Sequence, residues 1–257
     1  MSDEVLCAID GGVATVTLNR PGQRNAMNSA LLASLRERFE ALESNRDVRV
    51  VVVRGAGPAF CSGMDLKEME QRGGAQGDPE SGVIEVLACV ERSRHPTIAV
   101  VQGDAIAGGC ELALHCDLRV AADVARFGMP LARIGLVVPF RLGQKLVEII
   151  GPAHTRHLLF TGQPIEARRA HEIGMVHQVV PAAELETAAA QLAQGIARNA
   201  PLALAGIKVT IQRAISLRDS ITHADLDEAT GRARRSADAS EGRRAMLEKR
   251  RPVFRGE

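Results

Sequence analysis

The segment HPTIAVVQGDAIAGGCELAL, residues 95–114, places an apolar run, a glycine pair and a helix-like pattern in direct succession. Residues 98–101 are continuously apolar, which is typical of a strand that is buried on both faces of a sheet. Gly108 and Gly109 permit a tight turn in which backbone N–H groups point outward at the start of a helix. This succession of strand, turn and helix predicts an α/β fold.

Other parts of the chain show the same organisation. Before the turn Ser62-Gly63-Met64-Asp65 lies another apolar run, and near the start of the chain two short runs flank an Asp-Gly-Gly turn and predict a β-hairpin. A helix capped by Asn28 or Ser29 is predicted next, because the apolar residues that follow recur at the spacing of one helical face. The predicted strands are residues 5–9, 13–18, 48–54, 98–101, 118–121 and 175–180.

Two regions are expected along the chain. Residues 1–195 contain the strand and turn patterns and are predicted to form the core with the functional site. From about Glu184 the sequence is rich in Ala, Arg and Glu and has helical periodicity. Residues 196–257 are therefore predicted to be a C-terminal helical region that packs on the core or on a neighbouring subunit.

Charge and composition argue against several classes of function. The 32 basic and 31 acidic residues are interspersed, so a net charge of +1 gives no single-sign field that would attract nucleic acid or an anionic membrane. No stretch has the roughly 18 apolar residues of a membrane span, and residues 1–10 lack the pattern of a targeting segment. We therefore predict a cytoplasmic protein without nucleic-acid or membrane partners.

Metal and disulfide sites are not expected either. His154 and His157 have helical spacing, but no further residue with recognisable ligand spacing follows them. The cysteines show neither a zinc spacing nor a disulfide framework, which favours reduced thiols. They are Cys7, Cys61, Cys89, Cys110 and Cys116.

A polar, glycine-rich stretch lies between the two turns. Residues 71–79 predict a mobile loop. The pattern is compatible both with a simple connector and with an active-site lid.

The two glycine-containing turns are candidates for stabilising negative charge. If the turns at Met64 and Gly108 face one another, their N–H groups supply two donors to a single oxygen, as a thioester carbonyl that becomes an enolate requires. Two ordinary tight turns would have the same spacing, so that alternative stays open.

Glu111 lies in the first turn of the helix that follows Gly108. Acidic residues are common there because the helix dipole favours them. In apolar surroundings, however, the pKa of such a carboxyl would rise, and the group could act as an acid or base beside a bound carbonyl.

These turns and the segments around them resemble the crotonase (enoyl-CoA hydratase/isomerase) family. The matching segments cover nearly the whole chain and follow one another in the order expected for that family. The resemblance implies a spiral of ββα units with a C-terminal helical region, assembled as a homotrimer or dimer of trimers. It also implies an acyl-CoA substrate and no separate cofactor, since coenzyme A is part of the substrate. The matching segments are residues 24–28, 59–66, 95–103, 107–114, 116–117, 160–162, 174–176 and 241–245.

The resemblance also assigns roles to residues. Met64 and Gly108 match the two oxyanion-hole donors, and Glu111 matches one of the two glutamates of enoyl-CoA hydratases. The backbone around residues 61–65 would receive the adenine, and Arg24 and Lys67 would contact phosphates; solvated surface charge is an equally good interpretation of both cations. The substrate-binding candidates are Arg24, Ala26, Cys61, Ser62, Gly63, Asp65, Lys67, Leu131 and Phe140, with Leu87 and Val138 as further acyl-pocket candidates.

Leu131 departs from the hydratase pattern. It occupies the position of the second hydratase glutamate, and leucine cannot transfer a proton. Three hypotheses follow: a hydratase that uses Glu111, an enoyl-CoA isomerase for which Glu111 alone suffices, and a catalytically silent acyl-CoA binder. The hydratase is placed first because the retained carboxylate is the hydratase one.

Overall fold

The computed structural model of the chain describes residues 4–72, 79–215 and 224–255. Its main sheet has six strands, of which the first two are antiparallel and every other neighbouring pair is parallel. In spatial order these strands are β1 (Val5–Asp10), β2 (Val13–Leu18), β3 (Val50–Gly55), β4 (Thr97–Val101), β6 (Leu118–Ala122) and β9 (Gln178–Val180). A smaller sheet contains β5 (Asp104–Ile106), β7 (Arg126–Gly128) and β8 (Ile165–Glu166).

The predicted hairpin and buried strands are confirmed, and their ends differ from the predicted ends by at most three residues. β3 shows why the run of valines forms a central strand. Val51 and Val53 belong to the larger core cluster, whereas Val50 and Val52 belong to a second cluster on the opposite face. Because successive side chains point to opposite faces, an uninterrupted apolar run is required where both faces are covered.

Helices cover both faces of the main sheet. The first of them begins where predicted: Asn28 caps it, its Oδ1 accepting a hydrogen bond from the Leu31 N–H at 2.8 Å. The described helices are α1 (Ser29–Glu43), α2 (Leu66–Arg72), α3 (Pro79–Arg92), α4 (Gly108–His115), α5 (Phe140–Thr161, interrupted at Gly151), α6 (Ala167–Glu172), α7 (Leu185–Ala197), α8 (Pro201–Ile215), α9 (Ala224–Arg235) and α10 (Ala237–Leu247). None of them is long and apolar enough to cross a membrane.

The C-terminal part of the chain is helical, as predicted. α7 supplies Leu185, Ala189 and Ala193 to the second core cluster. α8 is joined to the core by Lys208, whose buried Nζ donates to Asp117 Oδ2 at 2.7 Å and to the His95 carbonyl at 3.1 Å. The boundary between residues 195 and 196 stays a prediction.

The glycine-rich stretch has described residues at its ends alone. Gln71 and Arg72 end α2, and Pro79 begins α3, so these three residues are helical and not part of a loop. The rest of the predicted loop, residues 73–78, lies outside the described residues.

Candidate active site

The two glycine-containing turns lie against each other. β3 and β4 are parallel neighbours, so the segments that leave their carboxyl ends meet at the same edge of the sheet. Cys61 forms an isolated bridge with Ala105, and the Ile106 N–H donates to the Cys61 carbonyl at 2.9 Å. A Cβ atom at Gly109 would stand 2.1 Å from that carbonyl oxygen, so glycine at this position is what permits the contact.

The N–H groups of Met64 and Gly108 lie where the segment that contains Cys61 and the start of α4 face each other. Met64 pairs with Met27 in a parallel bridge that uses Gly63 O and Asp65 N, which leaves the Met64 N–H on the other edge of its segment. Gly108 is the first residue of α4, where an N–H has no acceptor within the helix. A Cβ built on Gly108 would lie 3.9 Å from the Met64 nitrogen, and among the described residues neither N–H has an acceptor.

Ala107 holds the start of α4 in a strained conformation. Its φ of 50° and ψ of −121° lie in a region that alanine rarely adopts. The Ala107 N–H donates to Gly128 O at 2.7 Å, and Ala107 O accepts from the Glu111 N–H at 3.0 Å. Neighbouring segments therefore maintain the backbone that presents the Gly108 N–H.

Glu111 is fully buried one helical turn beyond Gly108. Neither carboxyl oxygen accepts a hydrogen bond from the described residues, which is unusual because buried polar groups are nearly always paired. Burial raises the pKa of Glu111 well above its ordinary value, and the positive charge of Lys145 opposes this in part. The carboxyl therefore has the environment predicted for an acid or base, and both of its oxygens are without a hydrogen-bond partner among the described residues.

His115 is the residue near Glu111 that sequence reasoning missed. Its Nδ1 lies 3.8 Å from Glu111 Oε2 and 2.8 Å from the Glu111 carbonyl oxygen. The spacing of Glu111 and His115 was visible in the sequence, since residues four apart on a helix are neighbours. Only the structure shows that both side chains are buried, which makes the pair notable.

Most of the predicted coenzyme-side residues lie together. The Ser62 N–H donates to Arg24 O at 3.0 Å, and Arg20 binds both Ala26 O and Asp65 Oδ2. Lys67 is exposed two residues farther on. Cys61 is buried, and burial raises the pKa of its thiol to about 12, so the residue contributes backbone and packing in place of a reactive thiolate.

Sequence reasoning also missed the residues that brace this cluster. Asn25 is fully buried, and its side-chain amide donates to the carbonyls of Ala56, Ala59 and Phe60 while its Oδ1 accepts from the Arg20 N–H. These partners are more than 30 residues away from Asn25, apart from Arg20, so spacing along the sequence does not reveal them.

The acyl-pocket candidates come from other elements. Leu131 lies in a 3-10 helix at residues 130–134 and packs, half-buried, against the main core, as Val138 also does. Phe140 is the half-buried first residue of α5, and Leu87 is fully buried in the main core. Leu87, Leu131 and Val138 therefore belong to or contact the main core, and the roles of all four residues in an acyl pocket stay predictions.

A cavity of about 570 Å³ lies beside the C-terminal half of α4. Its lining includes His115 from α4, Glu91 from α3 and Lys145 from α5. Lys145 Nζ lies 2.6 Å from Glu91 Oε1, so these two charged groups of the lining form an ion pair.

The whole chain is similar in sequence and fold to known proteins. A family model described as enoyl-CoA hydratase/isomerase matches residues 8–257. A short-chain-enoyl-CoA hydratase of Clostridium acetobutylicum is 35% identical over 251 residues, which cover 96% of each chain. A solved methylmalonyl-CoA decarboxylase in complex with 2-nitronate-propionyl-CoA superposes with a TM-score of 0.91 at 26% identity, covering 100% of both chains. An enoyl-CoA hydratase/carnithine racemase from Magnetospirillum magneticum has a TM-score of 0.80 at 33% identity and covers 100% of this chain and 97% of its own.

These similarities confirm the predicted family and the crotonase-like α/β fold with its C-terminal helical region. They are similarities of the entire chain, and they do not assign a role to any one residue.

Gly109→Ala tests the contact between the two turns. The added methyl group meets the Cys61 carbonyl oxygen, a backbone atom that cannot move away alone. We expect the free energy of unfolding to fall by at least about 2 kcal/mol, measured by urea denaturation. Gly195→Ala in α7 is the matched control, because its Cβ has open space; there we expect a gain of about 0.5–1 kcal/mol. Equal effects of the two substitutions would contradict the close contact.

Glu111→Gln tests the raised pKa through the pH dependence of stability. The folded protein keeps the carboxyl proton at a pH where the unfolded chain has lost it. This stabilisation is complete below the ordinary glutamate value of 4.5 and is lost as the pH rises towards the raised pKa. Relative to wild type, the variant should therefore gain up to about 1.4 kcal/mol per pH unit above that value. A difference that is constant from pH 5 to 8 would contradict this, and the exposed Glu172→Gln serves as the control.

Proposed function

The chain belongs to the enoyl-CoA hydratase/isomerase family, and from this premise we propose that it converts an enoyl-CoA thioester through an enolate held by the N–H groups of Met64 and Gly108. Glu111 is the proposed acid and base. The observation that carries the proposal is the fully buried Glu111 carboxyl, unpaired within the described residues and one helical turn from Gly108.

The two N–H groups suit a thioester carbonyl oxygen. When a carbon next to the carbonyl gains or loses a bond, electrons move onto this oxygen, and preorganised donors stabilise the charge that develops. The start of α4 adds the positive end of a helix dipole to the Gly108 N–H. Strain at Ala107 and the glycine contact at Gly109 support the view that the position of these donors is fixed before the substrate binds.

Hydration can proceed with Glu111 alone. Glu111 takes a proton from water as the water oxygen bonds to C3, and the C2–C3 π electrons move onto the thioester oxygen. The enolate then collapses while Glu111 gives the proton to C2. A raised pKa suits both steps, because the group must hold the proton and release it at neutral pH.

Isomerisation is the second candidate, and Leu131 favours it. With leucine at the position of the second hydratase glutamate, one carboxyl must do all proton transfer. Glu111 would take a proton from C2 of a 3-enoyl thioester and return it to C4 of the resulting dienolate. Hydratase chemistry is placed first because the Clostridium relative and other similar proteins are named as enoyl-CoA hydratases.

The coenzyme part of the substrate is proposed to bind at the cluster around residues 61–65. Its backbone would receive the adenine, and the side chains of Arg24 and Lys67, which are exposed, would contact phosphates. Assembly as a trimer or dimer of trimers and a cytoplasmic location stay predictions.

Turnover of two substrates distinguishes the candidate reactions. We expect wild-type protein to add water to crotonyl-CoA, seen as loss of conjugated-thioester absorbance and a mass gain of one water. Glu111→Gln should lower the rate by roughly 10²–10⁴-fold while CoA-ester binding persists. If conjugated-thioester absorbance appears only with a 3-enoyl-CoA, and the mass does not change, the isomerase hypothesis would replace the hydratase hypothesis. Tight binding of the CoA esters with no turnover of either substrate would favour the third hypothesis, a catalytically silent acyl-CoA binder.

Leu131→Glu tests whether a second carboxylate is what limits hydration. If position 131 faces the bound acyl group, the added carboxyl should raise the rate of water addition to crotonyl-CoA by about tenfold or more. Leu131→Gln has nearly the same shape and cannot transfer a proton, so it should show no gain. Equal rates in both variants would mean that the position lies away from the reacting carbons.

A further inference from the structure

α10, in the C-terminal helical region, packs with almost no clearance on the 3-10 helix at residues 130–134, which carries Leu131. A Cβ atom at Gly242 would lie 2.5 Å from the Cα and the carbonyl carbon of Ile134. These are backbone atoms, so the clash could be relieved only by movement of one of the two helices. Glycine is disfavoured inside a helix, and at this position it is what permits the contact.

A second close contact lies three residues earlier on α10 and involves Gly135. This residue ends the 3-10 helix with a φ of 71°, and a Cβ atom on it would lie 2.8 Å from the Ala239 nitrogen. Ala239 is fully buried and forms a hydrophobic cluster with Ile134 and Leu136. Two separate backbone contacts with α10 therefore determine where the 3-10 helix lies.

Leu131 lies between this hydrophobic cluster and the main core. Its side chain is half-buried and packs against both. The same segment is anchored at its other end, because Gly128 O accepts the hydrogen bond from the Ala107 N–H at 2.7 Å, and Ala107 directly precedes Gly108. Residues 128–135 thus connect the start of α4 to α10, with Leu131 near the middle of the connection.

We propose that the contact between α10 and the 3-10 helix sets the length of the acyl chain that the protein accepts. In this scheme Leu131 lines the end of the acyl pocket, and Gly242 is a positioning residue that acts through Leu131. While α10 holds the 3-10 helix, Leu131 cannot withdraw to admit a longer chain. The inference rests on the proposed function in one respect, that the acyl group extends from the N–H groups of Met64 and Gly108 past position 131.

The direction in which Gly242→Ala acts follows from how the two helices are held. The 3-10 helix has the main core behind it, whereas α10 is exposed to solvent at Arg244 and Leu247. The added methyl group should therefore displace α10 outward and leave the start of α4 in place. Ile134 and Leu131 can then follow α10, which lengthens the pocket.

Binding of saturated CoA thioesters measures the accepted chain length without any turnover. Butyryl-CoA and octanoyl-CoA share the coenzyme and differ in acyl-chain length alone. The measured quantity is the Kd of butyryl-CoA divided by the Kd of octanoyl-CoA, obtained by isothermal titration calorimetry. Each further methylene group that the pocket takes up corresponds to an increase of about fourfold in this ratio.

We expect the ratio to rise by about fourfold or more in both Gly242→Ala and Leu131→Ala. Because both changes act through the position of Leu131, Gly242→Ala should add nothing to the ratio in the Leu131→Ala background. Gly195→Ala in α7 is the matched control, since its Cβ has open space, and should leave the ratio unchanged.

A role of Gly242 in folding alone would weaken the binding of both thioesters equally and leave the ratio at its wild-type value. That result in Gly242→Ala, an unchanged ratio in Leu131→Ala, or effects that multiply in the double variant would each overturn the proposal.

Ile134→Val keeps the test decisive if Gly242→Ala does not fold. It removes one methyl group from the contact and introduces no clash, so the far-ultraviolet circular dichroism should match that of wild type. We expect the ratio to rise by about twofold, because the 3-10 helix is held less tightly. A wild-type ratio in this folded variant would contradict the inference.

Turnover of enoyl-CoA is measured on the same proteins, which separates this inference from the proposed function. If wild type binds both thioesters but converts no enoyl-CoA, the proposed reaction fails, and the ratios still decide whether α10 sets acyl-chain length. If wild type binds neither thioester, the proposed function and the inference are both overturned.

Discussion

The close contact between Gly109 and the Cys61 carbonyl is the constraint on which the rest of the site depends. It brings the start of α4 against the segment that leaves β3, at a distance that any side chain at position 109 would prevent. Two N–H groups from segments more than 40 residues apart thereby meet at one place. Parallel strands alone would bring the turns to the same edge of the sheet, but they would not bring them into contact.

Both ends of α4 contribute to the electrostatics of the site. Its first residue presents the free N–H of Gly108, and its last turn is closed by Arg119, which donates to the carbonyls of Ala113, Leu114 and Cys116. A buried cation at the C-terminal end complements the helix dipole and satisfies carbonyls that would otherwise be unpaired. The helix can therefore be buried almost completely while its positive end lies at the contact between the two turns.

The buried Glu111 carboxyl, which has no hydrogen-bond partner in the described part of the chain, is a destabilising feature of this arrangement. A Glu111 that kept its charge in these surroundings would cost several kcal/mol, so the folded protein favours the protonated form. The relatives named as hydratases and the decarboxylase of the same fold show that one scaffold accommodates different reactions of CoA thioesters. The shared scaffold therefore does not decide by itself which reaction a given chain carries out.

The sequence by itself determined the buried strands, a helix cap at Asn28 or Ser29, the two glycine turns, the family and the position of Glu111. Each of these depends on local spacing or on residues adjacent in the chain, and backbone geometry converts such spacing directly into structure. Tertiary structure alone decided that the turns touch, that Asn25 and Arg20 brace them, and that Glu111 lacks a protein partner among the described residues. It also decided that His115 reaches both the carboxyl and a cavity. These properties depend on distances between segments that are far apart in the sequence, and packing of the completed core sets those distances.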